Sequence, residues 1–230
     1  MERHLTVTRT ARYQQLGEIS ATTRQLWLVA HGYGQLAEYF IRHFAHLHIA
    51  DPTGTVIVAP EGLSRFYLTG TSGRVGASWM TRAERLAEID DQNGYLSQLL
   101  AQLLTCCPSD VRVTVLGFSQ GTATMSRWLA RHAATWRPHQ LVLWAGDFPA
   151  DIDDVAARQL LVQLPVTLIS GNQDEYVPAN KLQEQGEALR QQGAHVATLH
   201  FEGGHTLNRE VLQQLHATPC VAMATARAAP

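Results

Sequence analysis

The sequence predicts an α/β fold with a mostly parallel central sheet and helices on both faces. Short apolar runs alternate along the chain with segments in which apolar residues recur at helical spacing. The apolar runs are continuous rather than alternating, which is typical of strands that are covered on both sides. Strands that alternate with helices are joined by right-handed crossovers and lie parallel. We therefore expect their carboxyl ends to share one edge of the sheet, where ligands of such folds bind.

Turn residues divide the chain into predicted strands and helices. The predicted parallel strands are Leu26 to Ala30, Thr55 to Ala59, Val111 to Leu116, Leu141 to Ala145, Val166 to Ser170 and His195 to Phe201. The predicted helices are Leu36 to Leu47, Gly94 to Leu104, Thr122 to His132, Val155 to Leu164 and Ala179 to Gln192. The residues from Glu61 to Asp90 are interpreted as a long loop that leaves the functional edge of the sheet.

The whole chain, residues 1–230, is predicted to form a single domain, because this length suits one α/β core. Near its start, Leu5 to Arg12 alternates in part, and Ala11 to Ile19 is placed to return beside it. Residues 1–20 are therefore expected to form an antiparallel hairpin of edge strands. Residues 217–230 are interpreted as a C-terminal tail.

Composition and charge favour an ordinary globular protein. The chain is 45% hydrophobic and 17% charged, which argues against a disordered or fibrous protein. Its formal net charge is -2 and no long run of like charge occurs, so neither nucleic acid nor a membrane surface is an expected partner. The N-terminal residues lack the apolar core of a signal peptide, and no apolar stretch is long enough to insert into a membrane. We expect a cytoplasmic protein.

The third predicted parallel strand runs into the segment Gly117-Phe118-Ser119-Gln120-Gly121, which matches the G-x-S-x-G pattern of a nucleophile elbow. A helical segment follows directly, as that motif requires. The central serine of such a turn adopts a strained conformation, and glycines on either side avoid collisions with neighbouring backbone. Ser119 is therefore a candidate nucleophile beside a helix N-terminus, whose free N–H groups favour developing negative charge.

A serine nucleophile needs a histidine as its base and a carboxylate that orients the histidine. Asp174 follows one of the later predicted strands, and His205 follows the next. The order serine, acid, histidine along the chain is that of α/β-hydrolases. Asp147 also follows a strand on the same edge and is a rival for the acid. Its neighbour Phe148 either lines the substrate pocket or belongs to a capped turn.

These segments resemble the phospholipase/carboxylesterase family of α/β-hydrolases, the small bacterial esterases that are similar to acyl-protein thioesterases. The resemblance covers roughly residues 24 to 216. The matching segments are His31-Gly32-Tyr33-Gly34, Gly117-Phe118-Ser119-Gln120-Gly121-Thr122, Gly171-Asn172-Gln173-Asp174-Glu175-Tyr176-Val177-Pro178 and Gly203-Gly204-His205. Ala77-Ser78-Trp79 is similar to a tryptophan-containing segment of the family, whereas Met80-Thr81 departs from its pattern.

The resemblance implies an α/β-hydrolase fold, which at this length leaves no room for a large lid, and a serine hydrolase that forms an acyl-enzyme. It implies Ser119 as nucleophile, His205 as general base and acid, and Asp174 as the orienting carboxylate. The backbone N–H groups of Tyr33 and Gln120 would bind the oxyanion. Because the resemblance gives Gln120 a role only through its backbone N–H, Gln120→Ala is expected to spare much of the activity.

The substrate pocket is predicted around two aromatic residues, Trp79 and Phe148. Trp79 lies in the long loop and either lines a hydrophobic acyl groove or fills the core beneath the loop. No metal or other cofactor is expected, because the acid-rich stretches at 84–91 and 147–154 are interpreted as the starts of helices.

The predicted function is cleavage of carboxylic esters of small or single-chain acyl groups, as in a carboxylesterase or lysophospholipase. An acyl-protein or acyl-CoA thioesterase is the alternative, because both reactions pass through the same oxyanion. A non-catalytic domain that binds an acyl or lactone ligand is the rival from another class. The expected partner is a small ester or thioester, and a homodimer through an exposed apolar groove is one option.

Overall fold

Residues 1 and 3–218 are described in this computed structural model, and a seven-stranded sheet runs through them. The strands in chain order are Tyr13–Leu16 (β1), Gln25–Ala30 (β2), Thr55–Pro60 (β3), Ser64–Tyr67 (β4), Val75–Ser78 (β5), Arg112–Phe118 (β6), Gln140–Trp144 (β7), Pro165–Gly171 (β8) and His195–Phe201 (β9). The sheet order is β1-β3-β2-β6-β7-β8-β9, and β4 pairs with β5 in a separate antiparallel hairpin. Only β1 runs antiparallel within the large sheet.

The helices lie between the strands as the alternation predicted. They are Ala37–Phe40 (α1), Ala45–Ala50 (α2), Arg85–Cys106 (α3), Gln120–His132 (α4), Asp154–Leu161 (α5), Ala179–Gln191 (α6) and Arg209–Ala217 (α7). A 3-10 turn at Ile41–Phe44 joins α1 to α2, so the segment predicted as one helix is broken into three short pieces. Among the described residues, no helix combines the length and apolarity that crossing a membrane requires.

Alternate residues of the buried strands face two separate hydrophobic cores. In β2, Leu26 and Leu28 face the core under α3, α4 and α6, whereas Trp27 and Val29 face the core under α1, α2 and α7. All four side chains are essentially inaccessible to solvent. A continuous apolar run is therefore needed in each central strand, and the predicted parallel sheet with helices on both faces is confirmed.

The prediction of an N-terminal hairpin is wrong, because the strand in that region pairs with β3 and not with the residues before it. Only Tyr13–Leu16 forms a strand there, and it pairs antiparallel with β3, Tyr13 opposite Pro60. Residues 3–12 form no strand, and Leu5 and Val7 are 86% and 72% exposed. An alternating segment becomes a strand only where one face is buried, and these side chains stay exposed. At the other end, α7 extends to Ala217, and residues 219–230 of the expected tail lie outside the described residues.

The β4–β5 hairpin and the first turns of α3 occupy the segment that was interpreted as a long loop. The hairpin docks onto the turn after β2 through two backbone hydrogen bonds, Gly34 N–H to Ala77 at 2.8 Å and Ala77 N–H to Gln35 at 3.1 Å. Close approach is possible because Gly76 has no side chain: a Cβ there would lie 2.4 Å from the Gly34 oxygen. The hairpin thus fixes a turn at the functional edge of the sheet.

Candidate active site

Ser119 occupies a sharp turn between β6 and α4. Its backbone has φ 52° and ψ -119°, a conformation that side-chain-bearing residues adopt at an energetic cost. Glycine is required on both sides, because a Cβ on Gly117 would lie 2.5 Å from the Gly121 backbone and one on Gly121 would lie 2.4 Å from the Ala30 oxygen. The Ser119 N–H is anchored on the Trp144 oxygen at 2.9 Å. The predicted elbow is therefore present, with the serine at its apex.

His205 is hydrogen-bonded to Asp174. Its Nδ1 lies 2.9 Å from one Asp174 carboxylate oxygen and 3.1 Å from the other. The carboxylate is fully buried and also accepts the backbone N–H groups of Tyr176 and Val177, at 2.8 Å and 3.1 Å. A carboxylate held in this way keeps the proton on Nδ1 of the imidazole and leaves Nε2 as an acceptor.

Ser119 and His205 line the same open cavity of about 530 Å³. The described residues place no large lid over it. Its walls carry small side chains, including Ala123 and Ala150, and two ion pairs, Asp147–Lys181 and Asp151–Arg127. The cavity therefore brings the serine and the histidine to one solvent-accessible space, as their positions along the chain predicted.

Asp147 belongs to the wall of the cavity but does not reach His205. Its carboxylate pairs with the ammonium group of Lys181, and both side chains are nearly half exposed. Its backbone oxygen accepts the hydroxyl of Thr122 at 3.1 Å. Of the two candidate acids, the structure brings Asp174 to the histidine and holds Asp147 in a separate surface pair.

The two predicted oxyanion donors lie on turns next to Ser119. Gln120 is the first residue of α4, so its N–H has no carbonyl partner in a preceding helical turn. Within residues 1 and 3–218, the N–H of Tyr33 also makes no hydrogen bond. Its turn packs directly on the nucleophile candidate: a Cβ on Gly32 would lie 3.2 Å from the Ser119 Cβ.

His31 holds the turn that contains Gly32 and Tyr33 through hydrogen bonds from its buried side chain. It is completely buried, its Nδ1–H donates to the Gly32 oxygen at 2.8 Å, and its Nε2 accepts the Gly62 N–H at 3.0 Å. These two bonds require the neutral ring with the proton on Nδ1. Burial lowers the pKa of His31 and so favours the same neutral form. His31 therefore fixes the shape of the turn through hydrogen bonds.

Trp79 does not line the cavity, and its predicted contact with substrate is wrong. The side chain is completely buried, stacks on His31 with ring centroids 4.9 Å apart, and donates its indole N–H to the His31 oxygen at 2.8 Å. Phe148 is also absent from the cavity wall, although Asp147 and Pro149 on either side belong to it. Phe148 is partly buried and packs against the core under α3, α4 and α6, where its backbone N–H donates to the Gln185 carboxamide oxygen at 3.2 Å.

The side chain of Gln120 has a structural role that sequence reasoning missed. Its carboxamide oxygen accepts the Trp79 N–H at 3.0 Å, and its Nε2 donates to the Met80 oxygen at 2.8 Å. The Ser78 hydroxyl lies 3.4 Å from the same carboxamide oxygen. Gln120 thus clamps the end of the β4–β5 hairpin, and the expectation that only its backbone matters is incomplete.

An ion-paired arginine at the far end of the cavity was also missed. Arg127 donates to the Asp151 carboxylate from Nε at 3.1 Å and from Nη2 at 2.8 Å, and Arg85 donates to the same carboxylate at 2.6 Å. Hydrogen bonds from Arg127, with further ones from Arg85, lower the pKa of Asp151 to about 2. The available sequence signal was the four-residue spacing of Ser119, Ala123 and Arg127, which places them on one helix face.

The acid-rich stretches contain no donor set suited to a metal ion. Across residues 1 and 3–218, no three His, Cys, Asp or Glu side chains lie together in such a way. Asp153 instead caps α5 by accepting the N–H groups of Val155 and Ala156 at 2.9 Å and 3.2 Å. The interpretation of residues 147–154 as a helix start holds for Asp153 and Asp154, whereas Asp147 and Asp151 form ion pairs before the helix begins.

The parallel sheet with a serine elbow after its central strand defines an α/β-hydrolase. More specifically, the chain belongs to the phospholipase/carboxylesterase family, whose model matches residues 17–218. No curated protein sequence matches the chain. Family membership makes the protein a hydrolase of the esterase or thioesterase type.

Solved structures of similar proteins support the same fold. Esterase PE8 has a TM-score of 0.68 and 22% identity over 91% of this chain and 97% of its own. Acyl-protein thioesterase 2 of Zea mays has a TM-score of 0.66 and 18% identity over 93% of this chain and 98% of its own. A phospholipase/carboxylesterase from Dyadobacter fermentans has a TM-score of 0.62 and 19% identity, with coverage of 93% and 98%. At these identities the likeness concerns the fold.

Proposed function

We propose that the protein is a serine hydrolase that cleaves carboxylic esters of small or single-chain acyl groups through an acyl-enzyme. The observation that carries the proposal is the bond from His205 to the buried carboxylate of Asp174, 2.9 Å long, in a cavity that Ser119 also lines. A histidine that is fixed by a carboxylate beside a strained serine is the arrangement that activates a hydroxyl at neutral pH.

In the proposed reaction, Nε2 of His205 takes the proton of the Ser119 hydroxyl while Oγ attacks the ester carbonyl. The tetrahedral intermediate collapses as the imidazolium gives that proton to the leaving alcohol, which breaks the ester bond and leaves an acyl-serine. Water then attacks the acyl-serine with His205 again as base, and the acid product leaves. Asp174 keeps its negative charge throughout and stabilises the imidazolium.

The oxyanion would be bound by the backbone N–H groups of Tyr33 and Gln120. Both groups are free of backbone partners within the described residues, and both lie on turns that contact Ser119. Loss of one such donor typically costs about 3 kcal/mol of transition-state stabilisation. Because the donors belong to the backbone, packing beneath them, rather than their own side chains, would set their positions.

A thioesterase is the second candidate, and one similar solved structure is an acyl-protein thioesterase. The same serine, histidine and backbone donors serve a thioester, because the acyl-enzyme and its oxyanion are identical in the two reactions. The open cavity also leaves room for an acyl group carried on a larger molecule. A non-catalytic domain is less well supported, since the hydrogen-bonded histidine and acid would then have no use.

The test is a panel of p-nitrophenyl esters and acyl thioesters measured on wild type and Ser119→Ala together. Hydrolysis by wild type is expected to fall by several orders of magnitude in the variant. The ratio of kcat/KM for ester and thioester of the same acyl group decides between the two candidates. Wild-type activity in Ser119→Ala would contradict the mechanism.

Other expectations from the sequence stay predictions. They concern the single domain at residues 1–230, the cytoplasmic location, the homodimer, and independence from cofactors and nucleic acid.

A further inference from the structure

One face of α4 forms a wall of the cavity. Ser119, Ala123 and Arg127 follow one another at intervals of four residues and all line it. Eight residues of α-helix span about 12 Å, so Arg127 lies roughly that far from the nucleophile candidate along the helix axis. Between the two ends the wall is small and apolar, with Ala123 on the helix and Ala150 on the facing loop.

The far end of this wall is charged, and its side chains are held in place by ion pairs. The Arg127 side chain is only 11% exposed and its guanidinium is paired with Asp151, which Arg85 also contacts. Behind Arg127 lies a second cavity of about 10 Å³, whose lining includes Trp79, Met80 and Ile89. Arg127 borders both cavities and so separates them.

We propose that the Arg127–Asp151 ion pair ends the acyl pocket and restricts the enzyme to short acyl chains. This inference rests on the proposed ester hydrolysis and adds the substrate class. The acyl chain, rather than the alcohol, is placed along α4 because the leaving oxygen must face His205, which protonates it. The part of the wall that Ala123 and Arg127 form then receives the acyl chain.

The limit on chain length follows from what each added methylene contacts. Along Ala123 and Ala150 a methylene leaves water for apolar surface, which is worth about fourfold in binding. At the ion pair this gain ends, because an alkyl group there strips water from paired charges without offering them a hydrogen bond. Removing the guanidinium would extend the apolar wall mainly by the volume that the guanidinium itself occupies, because the cavity near Met80 and Ile89 is only about the size of one water molecule.

The experiment measures kcat/KM for p-nitrophenyl butyrate, hexanoate, octanoate, decanoate and dodecanoate. The proteins are wild type, Arg127→Leu and the matched control Arg131→Leu. Arg131 lies one turn further along α4, pairs with Asp90 and does not line the cavity. Arg127→Met keeps the length of the stem without the charge and serves as a second variant if the leucine protein does not fold.

Wild type and Arg131→Leu are expected to share one chain-length optimum, beyond which kcat/KM stops rising. In Arg127→Leu or Arg127→Met the rise should continue by about fourfold per methylene to the next chain length of the series, which the volume of the removed guanidinium accommodates. The inference is overturned if all proteins share the same profile, or if wild type prefers decanoate and dodecanoate.

A second arm separates this inference from the proposed function. Binding of methyl alkyl ketones of the same lengths to Ser119→Ala, with and without Arg127→Leu, is measured by calorimetry and requires no chemistry. A longer preferred ketone in the double variant supports the chain-length limit, whether or not wild type hydrolyses esters. An unchanged ketone profile overturns it, even if ester hydrolysis is found.

Discussion

The carboxamide oxygen of Gln120 accepts the backbone N–H of Trp79 across 3.0 Å, which ties the residue after the serine to the core of the neighbouring loop. Trp79 in turn donates its indole N–H to His31, and His31 donates to the Gly32 oxygen. The two turns that carry the proposed oxyanion donors are therefore joined by one buried set of hydrogen bonds. We expect their relative position to depend on it.

Gln120→Ala tests this dependence. The variant keeps the backbone N–H but leaves the Trp79 N–H and the Met80 oxygen without their partner, so the donors should move relative to Ser119. We expect kcat to fall by about tenfold or more with little change in KM, since the lost interaction belongs to the transition state. Steady-state kinetics with a short p-nitrophenyl ester measures both constants.

The matched control for this variant is Gln183→Ala, which removes an exposed helical glutamine from α6. Its kinetics should equal those of wild type. Gln120→Glu retains an acceptor for Trp79 but cannot donate to Met80, so an intermediate kcat is expected. A Gln120→Ala enzyme with the wild-type kcat would show that the side chain does not position the donors.

Asp174→Asn should remove most of the turnover, whereas Asp147→Asn should not. Asparagine at 174 can still accept the Tyr176 and Val177 N–H groups, so the fold is retained, but it can no longer stabilise the imidazolium. We expect kcat to fall by about 10³-fold to 10⁴-fold. Asp147 forms only a half-exposed pair, and its loss should change kcat by less than about threefold. The reverse ranking would make Asp147 the acid.

Gly121→Ala should destabilise the protein, because its Cβ would lie 2.4 Å from the Ala30 backbone oxygen. Relief requires β2 and α4 to separate, which we expect to lower the free energy of unfolding by about 1–3 kcal/mol. Gly94→Ala in α3 is the matched control, since its Cβ meets nothing within 4 Å. That variant should gain about 0.5–1 kcal/mol from helix propensity. Urea denaturation compares the two, and equal effects would contradict the packing described here.

His31 should make stability depend on pH. Burial lowers its pKa in the folded state, so between that value and the unfolded pKa of about 6.5 the unfolded chain binds more protons. Its contribution is complete above about pH 6.5 and is lost as the pH falls. We expect His31→Gln to reduce the slope of unfolding free energy against pH by up to about 1.4 kcal/mol per pH unit.

The measurement is urea denaturation of both proteins between about pH 7.5 and about pH 5.5. Other histidines with lowered pKa values, such as His43 and His139, are present in both proteins, so the difference between the two slopes reports His31. Equal slopes would mean that His31 takes up a proton as readily in the folded protein as in the unfolded chain, despite the loss of the bond from Gly62 N–H.

The parallel sheet could be predicted because each central strand is buried on both faces and must be continuously apolar. The run Val166 to Ser170, for example, falls inside the observed strand Pro165–Gly171. The β4–β5 hairpin could not be predicted, because its strands have four residues each and are fixed by docking on Gly34 and Gln35. Such contacts leave no periodic pattern in the sequence.

Chain position located Asp174 and His205, because the ends of adjacent parallel strands meet at one edge of the sheet. Chain position could not predict that Trp79 is buried, because its partners His31 and Gln120 are 48 and 41 residues away along the chain. In the sequence, an aromatic residue in a loop is equally compatible with a pocket wall and with a buried core. Only the packing separates the two.

The proposed role of Ser119 is that of a nucleophile activated by His205. Its most direct test is the intact mass of wild type and Ser119→Ala after treatment with a fluorophosphonate, with peptide mapping of the adduct. We expect one adduct on wild type, located at Ser119, loss of ester hydrolysis in step with labelling, and no adduct on the variant. Folded wild type that resists labelling, or equal labelling of Ser119→Ala, would contradict this role of Ser119.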